Sequence, residues 1–586
     1  MGLLQQAVKT YDFLERQGKV GKYEAEKEPL APIGHIVAEA QIEITLDREG
    51  NFITAQKIDN KKNPQNIIIP ITNDSLGRSG TKSPPHPLCD KISYMISVNT
   101  EKYNNYLETL QQWINSEYSD PKIEAVFKYI KKKTIIEDLS NIINIEKAIK
   151  DESYVCWSVL NNEYENEKLY EGEMISRYAD YYMSTVQNSA LCIDYITGKK
   201  ENIALKHPGL IGVLRIISLS KKDFVNKGRF TDPDQACSIS LISSQKVHNV
   251  LKWIIANEGK RFGERTFICW CPNGKEVPKP QDSLHRGSKT HKWVDYRNEL
   301  QRLLESYKVN LIDTDDVVIA SFDAATNGRL SVSYYNELKG SDFLDRLKYW
   351  DETCCWYDNR WGISSPSLYS IVQYTFGYQR GSDENAKIEV DSDIIGSNMQ
   401  RLIKCRVDKG KIPRDIVKNI VNKAERLHLY NKKNRRELLF IACALIRKYF
   451  IDYKKEECEM ALETEKKDRS YQYGRLLAVL EKIEKDTYDN ENNRTTNAMR
   501  MQSVFVKRPA YAAKVIIEQL KNAYYPKLSF PARTYYDKLI GQIMEVISEC
   551  NESEFNKPLA ETYLLGYYLQ QNSLYSKKDN KESEEK

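Results

Sequence analysis

Long hydrophobic runs are scarce in this 586-residue chain. The most apolar stretch, Leu438 to Ile446, falls far short of the ~18 residues that a bilayer-crossing helix needs, and mean hydropathy is −0.60, so no membrane partner is expected. An excess of one charge is missing too: 87 Lys+Arg stand against 82 Asp+Glu, a formal net charge of +5, which excludes a histone-like polycation. Twelve Cys spread over this length make no dense disulfide framework. The start, Met1-Gly2-Leu3-Leu4-Gln5-Gln6, has no basic stretch leading into a long apolar core, and Gln6 stands where a myristoylation signal needs Ser or Thr. The thiols are therefore read as reduced and the chain as cytoplasmic. Phe and Trp are few, 15 and 8, whereas Tyr numbers 38; rings with a polar tip suit wet interfaces such as those with nucleic acid.

Familiar catalytic motifs are absent as well. There is no Walker loop, Rossmann glycine fingerprint, HExxH or GxSxG, and Gly287-Ser288-Lys289-Thr290 lacks the glycine spacing that cradles phosphate. Nucleotide hydrolysis is not expected. Cys269-Trp270-Cys271 with His285 and His291 approaches zinc-finger spacing, but one residue between the cysteines is too short; two Cys on one face of a buried strand, followed by a basic loop, is the reading adopted. Asp313, Asp315 and Asp316 precede an apolar strand that ends at Asp323, and two-metal nucleases place carboxylates near strand ends. A metal-dependent nuclease using Asp315, Asp316 and Asp323 is thus the alternative to a non-enzymatic reading; a solvated turn is the plainer one.

Patterning is mixed in the first two thirds. Leu4, Ala7, Tyr11 and Leu14 form a helical stripe closed by Gly18, and Ile42, Ile44 and Leu46 alternate before an Asp47-Arg48-Glu49-Gly50 turn and Phe52-Ile53-Thr54, which reads as a hairpin. Strands are expected at 66–71, 210–219, 266–270, 317–322 and 330–335. Beyond the polar segment 377–396 the period becomes helical, with Pro413 and Asn431 opening helices and others expected at 470–485, 509–524, 531–549 and 558–571. The fold class is α+β: an N-terminal α+β region (1–205), a central α+β region (206–376), a linker (377–396) and a C-terminal helical bundle (397–586).

Two segments have the chemistry of nucleic-acid surfaces. The loop from Gly77 to His86 gathers Arg78, Ser79, Thr81 and Lys82 beside glycines, so cationic and hydroxyl donors can approach phosphates or base edges. From 491 to 540, nine Lys+Arg (Arg494, Arg500, Lys507, Arg508, Lys514, Lys521, Lys527, Arg533 and Lys538) face three acids. Tyr511, Tyr524, Tyr525, Phe530, Tyr535 and Tyr536 are interleaved, and cations that track a backbone beside stacking rings suit a single strand.

Taken in order, these residues resemble the large subunit of the type I-C CRISPR effector complex, Cascade, over essentially the whole chain. The resemblance rests on Leu3-Leu4-Gln5-Gln6-Ala7, on Arg78-Ser79-Gly80 with Pro87-Leu88-Cys89-Asp90 and Tyr94, and on Asn327-Gly328-Arg329-Leu330-Ser331-Val332 and Tyr334-Tyr335-Asn336-Glu337-Leu338. It continues through Tyr473-Gly474-Arg475-Leu476-Leu477-Ala478-Val479-Leu480-Glu481 and Leu565-Gly566-Tyr567-Tyr568-Leu569-Gln570-Gln571. Where many relatives carry a Ser-Tyr-Gly segment and then an Asn-Ala-Pro-Val-type segment, this chain has Phe224-Val225-Asn226-Lys227-Gly228 and Ala236-Cys237-Ser238-Ile239-Ser240.

The resemblance implies a non-enzymatic subunit, without cofactor or catalytic residues, at the crRNA 5′-handle end of a surveillance complex. It would read the PAM on target double-stranded DNA through the 77–90 region, with Arg78, Ser79, Thr81 and Lys82 as contacts, and help open the duplex. It would hold the displaced strand in the R-loop on Arg494, Arg500, Lys507, Arg508, Lys521, Lys527 and Arg533. Guide pairing reads sequence in such a complex, so the protein need read only the PAM and the backbone. Implied partners are crRNA, the backbone and 5′-handle-binding subunits, the small subunit and the helicase-nuclease that docks on it. Residues 460–586 resemble that small subunit, which an internal start at Met460 would supply from the same gene. Lys455-Glu456-Glu457 can be encoded by a purine-only, ribosome-binding-like tract at a suitable spacing.

Overall fold

The computed structural model describes residues 2–58, 65–76, 78, 84–161, 165–186, 190–218, 237–284, 290–326, 328–381, 383–488 and 494–584. The architecture is mixed α+β, as the patterning indicates. Among the described residues no helix is long and apolar enough to cross a membrane. The chain divides into two units: one takes in 1–261, 265–275 and 316–337, the other 262–264, 276–315 and 338–586. The segment 377–396, read from its polarity as a linker, lies inside the second unit. Its polar residues build a short hairpin, Tyr378–Gln379 against Ile388–Glu389, and then Asp391 caps the helix Ser392–Val407.

In the first unit the expected hairpin is present, Ile42–Leu46 against Phe52–Lys57, with an irregularity between Thr45 and Leu46. Ile42–Leu46 also pairs in parallel with Tyr154–Leu160, which in turn carries Asp90–Lys91 and Asn166–Lys168 as antiparallel neighbours. The helices Thr100–Ile114, Pro121–Lys132 and Glu173–Val186 contribute Trp113, Tyr129 and Tyr178 to the core of that sheet. A second sheet runs in the order Lys260–Phe262, Arg265–Trp270, Asp316–Thr326, Arg329–Lys339. The opening helix Leu3–Arg16 and the helix Leu241–Glu258 share its core, where Tyr11, Val250 and Ile254 meet Ile268, Val318 and Phe322. Trp270 Nε1 donates to Thr10 Oγ1 at 3.0 Å, which joins helix to sheet with a satisfied polar group.

One expected strand is missing. Residues 210–219 are apolar enough, but Gly212 takes φ +55° and Leu210 N bonds Leu214 O at 2.7 Å, so the described part of the segment turns back on itself. The divergent segment 224–228 lies outside the described residues. Ser240, just beyond it, caps the helix Leu241–Glu258 by accepting from Ser243 N, and its own N–H donates to Asp194 at 3.1 Å.

The second unit is mainly helical. Asn431 caps Lys432–Tyr449 through Asn434 N, as its position suggests, and Arg469–Lys485, Pro509–Ala523 and Phe530–Ser548 fall close to the expected ranges. The last helix, Thr562–Glu584, runs well past the expected end at 571. Arg469–Lys485 is buried along nearly its whole length and crosses Thr562–Glu584 in backbone contact. A Cβ on Gly474 would lie 1.9 Å from Tyr563 O, and one on Gly566 would lie 2.1 Å from Tyr471 O, so each glycine lets the opposite backbone in.

Candidate nucleic-acid interface

The first candidate surface is organised by Asp90. Its fully buried carboxylate accepts from Arg78 Nη1 and Nη2 at 2.7 and 2.5 Å, from His86 N at 2.7 Å and from Lys91 N at 2.7 Å. Arg78 also donates to Pro84 O at 3.1 Å and Tyr154 Oη at 3.2 Å, and its guanidinium lies 5.0 Å from the Tyr94 ring centroid. Burial opposes the charge, but the Asp90 hydrogen bonds and charge outweigh it and hold Arg78 above its ordinary pKa. The Arg78 donors serve the fold, joining the two ends of the loop, and its side chain is only 10% exposed. Ser79, Thr81 and Lys82 lie outside the described residues.

The stretch Pro87-Leu88-Cys89-Asp90 is structural for the same reason. Leu88 sits at φ +64°, unusual for a side chain with a γ-branch, and this turn aims its carbonyl at Tyr106 Oη (2.6 Å) and Trp157 Nε1 (2.8 Å). Asp90 was missed as a partner for Arg78; an acid twelve residues after a loop arginine was the available signal. Around the clamp, Lys102 Nζ lies 4.8 Å from the Tyr94 ring and Lys91 pairs with Glu152, whose carboxyl that hydrogen bond holds below its ordinary pKa.

The second surface is better exposed. Arg494, Arg500, Lys507, Arg508, Lys514, Lys521, Lys527 and Lys538 all face solvent. On Pro509–Ala523, Tyr511, Lys514, Glu518 and Lys521 follow i, i+3, i+7 and i+10, one stripe of the helix. Arg533 is half-buried and caps the preceding turn, with Nε on Leu528 O at 3.0 Å and Nη2 on Pro526 O at 2.8 Å. The rings divide likewise: Tyr536 is buried on Asp486 and Tyr525 donates to Asp537 at 3.0 Å, while Tyr511, Phe530 and Tyr535 are 55, 79 and 42% exposed. Those three are the accessible stacking faces.

The carboxylates of the nuclease alternative do not assemble. Asp316 pairs with Lys9 at 2.9 Å and Asp323 with Arg265 at 2.9 Å, while Asp315 accepts from Ile312 N at 2.9 Å. Seven residues of strand separate Asp316 from Asp323, roughly 23 Å at a strand's rise, against the ~4 Å that spans a two-metal site. Cys269 and Cys271 are buried, and His285 lies outside the described residues. Among the described residues no three His, Cys, Asp or Glu side chains are placed to hold a metal ion.

Met460 lies at a bend between the π-helical turn Phe450–Lys454 and the helix Arg469–Lys485. It packs against the cluster of Tyr296, Cys355 and Ile363.

The chain is thus a two-unit α+β protein with an exposed cationic and aromatic helical surface. A family model described as CRISPR-associated protein (Cas_Csd1) matches residues 8–575, and the chain belongs to that family. No curated protein matches it.

Proposed function

We propose that this chain is the large, non-enzymatic subunit of a type I-C CRISPR surveillance complex. It recognises the PAM on target DNA, assists duplex opening, holds the displaced strand and offers a dock for the helicase-nuclease. The observation that carries this reading is the family match over nearly the whole chain. The exposed Tyr511, Lys514 and Lys521 stripe supports the strand-holding part, because cations and rings on one helical face follow a single strand without reading its bases. The loop between the Asp90-anchored ends is the PAM-proximal element, with Ser79, Thr81 and Lys82 as its donors and Arg78 as the residue that holds its base. Backbone, 5′-handle-binding and small subunits complete the complex with crRNA.

The test is co-purification of the tagged chain with the products of neighbouring genes. A complex containing one RNA of uniform length, whose DNA binding depends on a short flanking motif, is the expected result. Purification as a lone chain, or a complex whose DNA binding is indifferent to flanking sequence, would overturn the proposal.

A further inference from the structure

A cavity of about 400 Å³ in the second unit belongs to neither surface described above. His291, Trp293 and Tyr357 supply its aromatic lining, Arg447 its cation, and Glu457 and Glu459 its carboxylates. That volume falls within the range of small-ligand sites.

Arg447 is an unusual lining group. It is 3% exposed, yet it has no carboxylate partner among the described residues. Nη1 donates to Glu352 O at 2.5 Å and to Cys355 Sγ at 3.5 Å, Nε has no partner, and the guanidinium lies 5.0 Å from the Trp293 ring centroid. Nε is sealed from the cavity and Nη1 is committed, so a ligand meets this guanidinium at Nη2, whose N–H groups favour acceptors. Glu457 and Glu459 are exposed and form no ion pair among the described residues. They favour donors on the same ligand. His291 and Tyr357 meet edge to face at 5.8 Å and suit a planar ligand.

We propose that this cavity binds a guanine base. Guanine carries O6 and N7 as acceptors on one edge, which the N–H groups of Arg447 Nη2 can bridge, and N1–H and N2–H₂ as donors on the other, which carboxylates accept. Adenine puts an amino group beside N7, where a donor-only arginine rejects it, and cytosine likewise carries an amino group. Uracil has an acceptor and an N–H donor but a smaller ring to stack. The expected order is guanine, then uracil, then adenine and cytosine. The base can belong to a free nucleotide or to an unpaired nucleotide of a strand; its recognition chemistry is the same. This inference stands apart from PAM reading and strand holding, and its test needs no assembled complex.

The purified full-length chain is titrated calorimetrically with GMP, UMP, AMP and CMP. GMP should bind about tenfold more tightly than AMP, a difference that one good base-edge pair supplies. Replacing both rim acids in Glu457→Gln/Glu459→Gln, at exposed positions with no fold contacts to lose, should reduce that preference severalfold. Arg447→Met should abolish GMP binding; because Arg447 is buried, its melting curve is compared first, and if it unfolds the glutamate pair alone decides. A short single strand with one central guanine then identifies the source. Tighter binding than GMP points to a strand, and equal or weaker binding to the free nucleotide, either being consistent with a guanine site. No binding of GMP, or the same base order after Glu457→Gln/Glu459→Gln, would overturn the proposal.

Discussion

At the residue scale, Arg78 is tied to an acid twelve residues further along the chain. A loop arginine among glycines and hydroxyls has the composition of a DNA contact, but composition carries no information about which acid the fold brings to it. Asp90 decides the matter. Removing one partner of a buried, bidentate pair costs about 3 kcal/mol or more, because the other charge stays buried. Arg78→Ala should therefore lower the melting temperature of the chain and weaken PAM selectivity together, and Arg78→Ala/Asp90→Ala should recover part of the loss. Lys82→Ala should instead leave the melting temperature alone and flatten the salt dependence of DNA binding by about one unit. Full thermal stability in Arg78→Ala would refute the clamp.

His35 adds a pH dependence at the same scale. It is buried, with Nδ1 3.2 Å from Ile33 O and its ring edge-on to Tyr178 at 5.3 Å. Burial pushes its pKa down from 6.5 to about 4, with the Ile33 hydrogen bond acting weakly the other way. Below pH 6.5 the unfolded chain takes up a proton that the folded chain refuses, so stability present above that pH is lost as pH falls toward about 4. The loss approaches ~1.4 kcal/mol per pH unit in that window. Urea titrations of the full chain and of His35→Phe between pH 7 and pH 5 should show a shallower dependence in the variant. Parallel curves would remove His35 as a contributor.

At the element scale, the helices and strands with clear periodicity or caps were legible: Leu3–Arg16, the hairpin from Ile42 to Lys57, and the helix that Asn431 caps. Residues 210–219 were not, because Gly212, at φ +55°, turns an apolar run where composition favours a strand. Nor was the purpose of Gly474 and Gly566, whose meaning depends on a helix crossing between residues about ninety positions apart. For the basic surface, sequence showed the density of charge but not which groups point outward. Reversing Lys514, Lys521 and Lys527 to Glu should weaken R-loop retention far more than crRNA loading, since all three are exposed and bear little of the fold. Filter-binding measurements at two salt concentrations check this. Equal losses for DNA and RNA would point to defective assembly.

At the scale of the whole molecule, the two units do not follow chain order: 316–337 returns to the first after 276–315 has entered the second. A boundary sought as one polar stretch could not find such an exchange. An internal start at Met460 would divide the second unit. A product from Met460 to Lys586 would hold 586 − 459 = 127 residues, would begin at a bend outside any helix, and would keep Arg469–Lys485 and Thr562–Glu584 entire. It would also lose cover. Cys443 Sγ meets Leu564 O at 3.8 Å and Tyr568 Oη donates to Asp358 at 3.0 Å, so the last helix would expose a face that Lys432–Tyr449 and Asp358 hide in the full chain. A free copy should therefore be less stable alone than within an assembly that covers that face. Met460→Leu, with a codon that is not an alternative start, should leave the melting of the full chain within about 1.5 kcal/mol. It should eliminate the short polypeptide from a denaturing gel of the purified complex and reduce DNA binding. Supplying residues 460–586 from a second plasmid should restore both. An undiminished short band after Met460→Leu would refute the internal start, whereas loss of the band with DNA binding intact would refute its contribution to holding the strand.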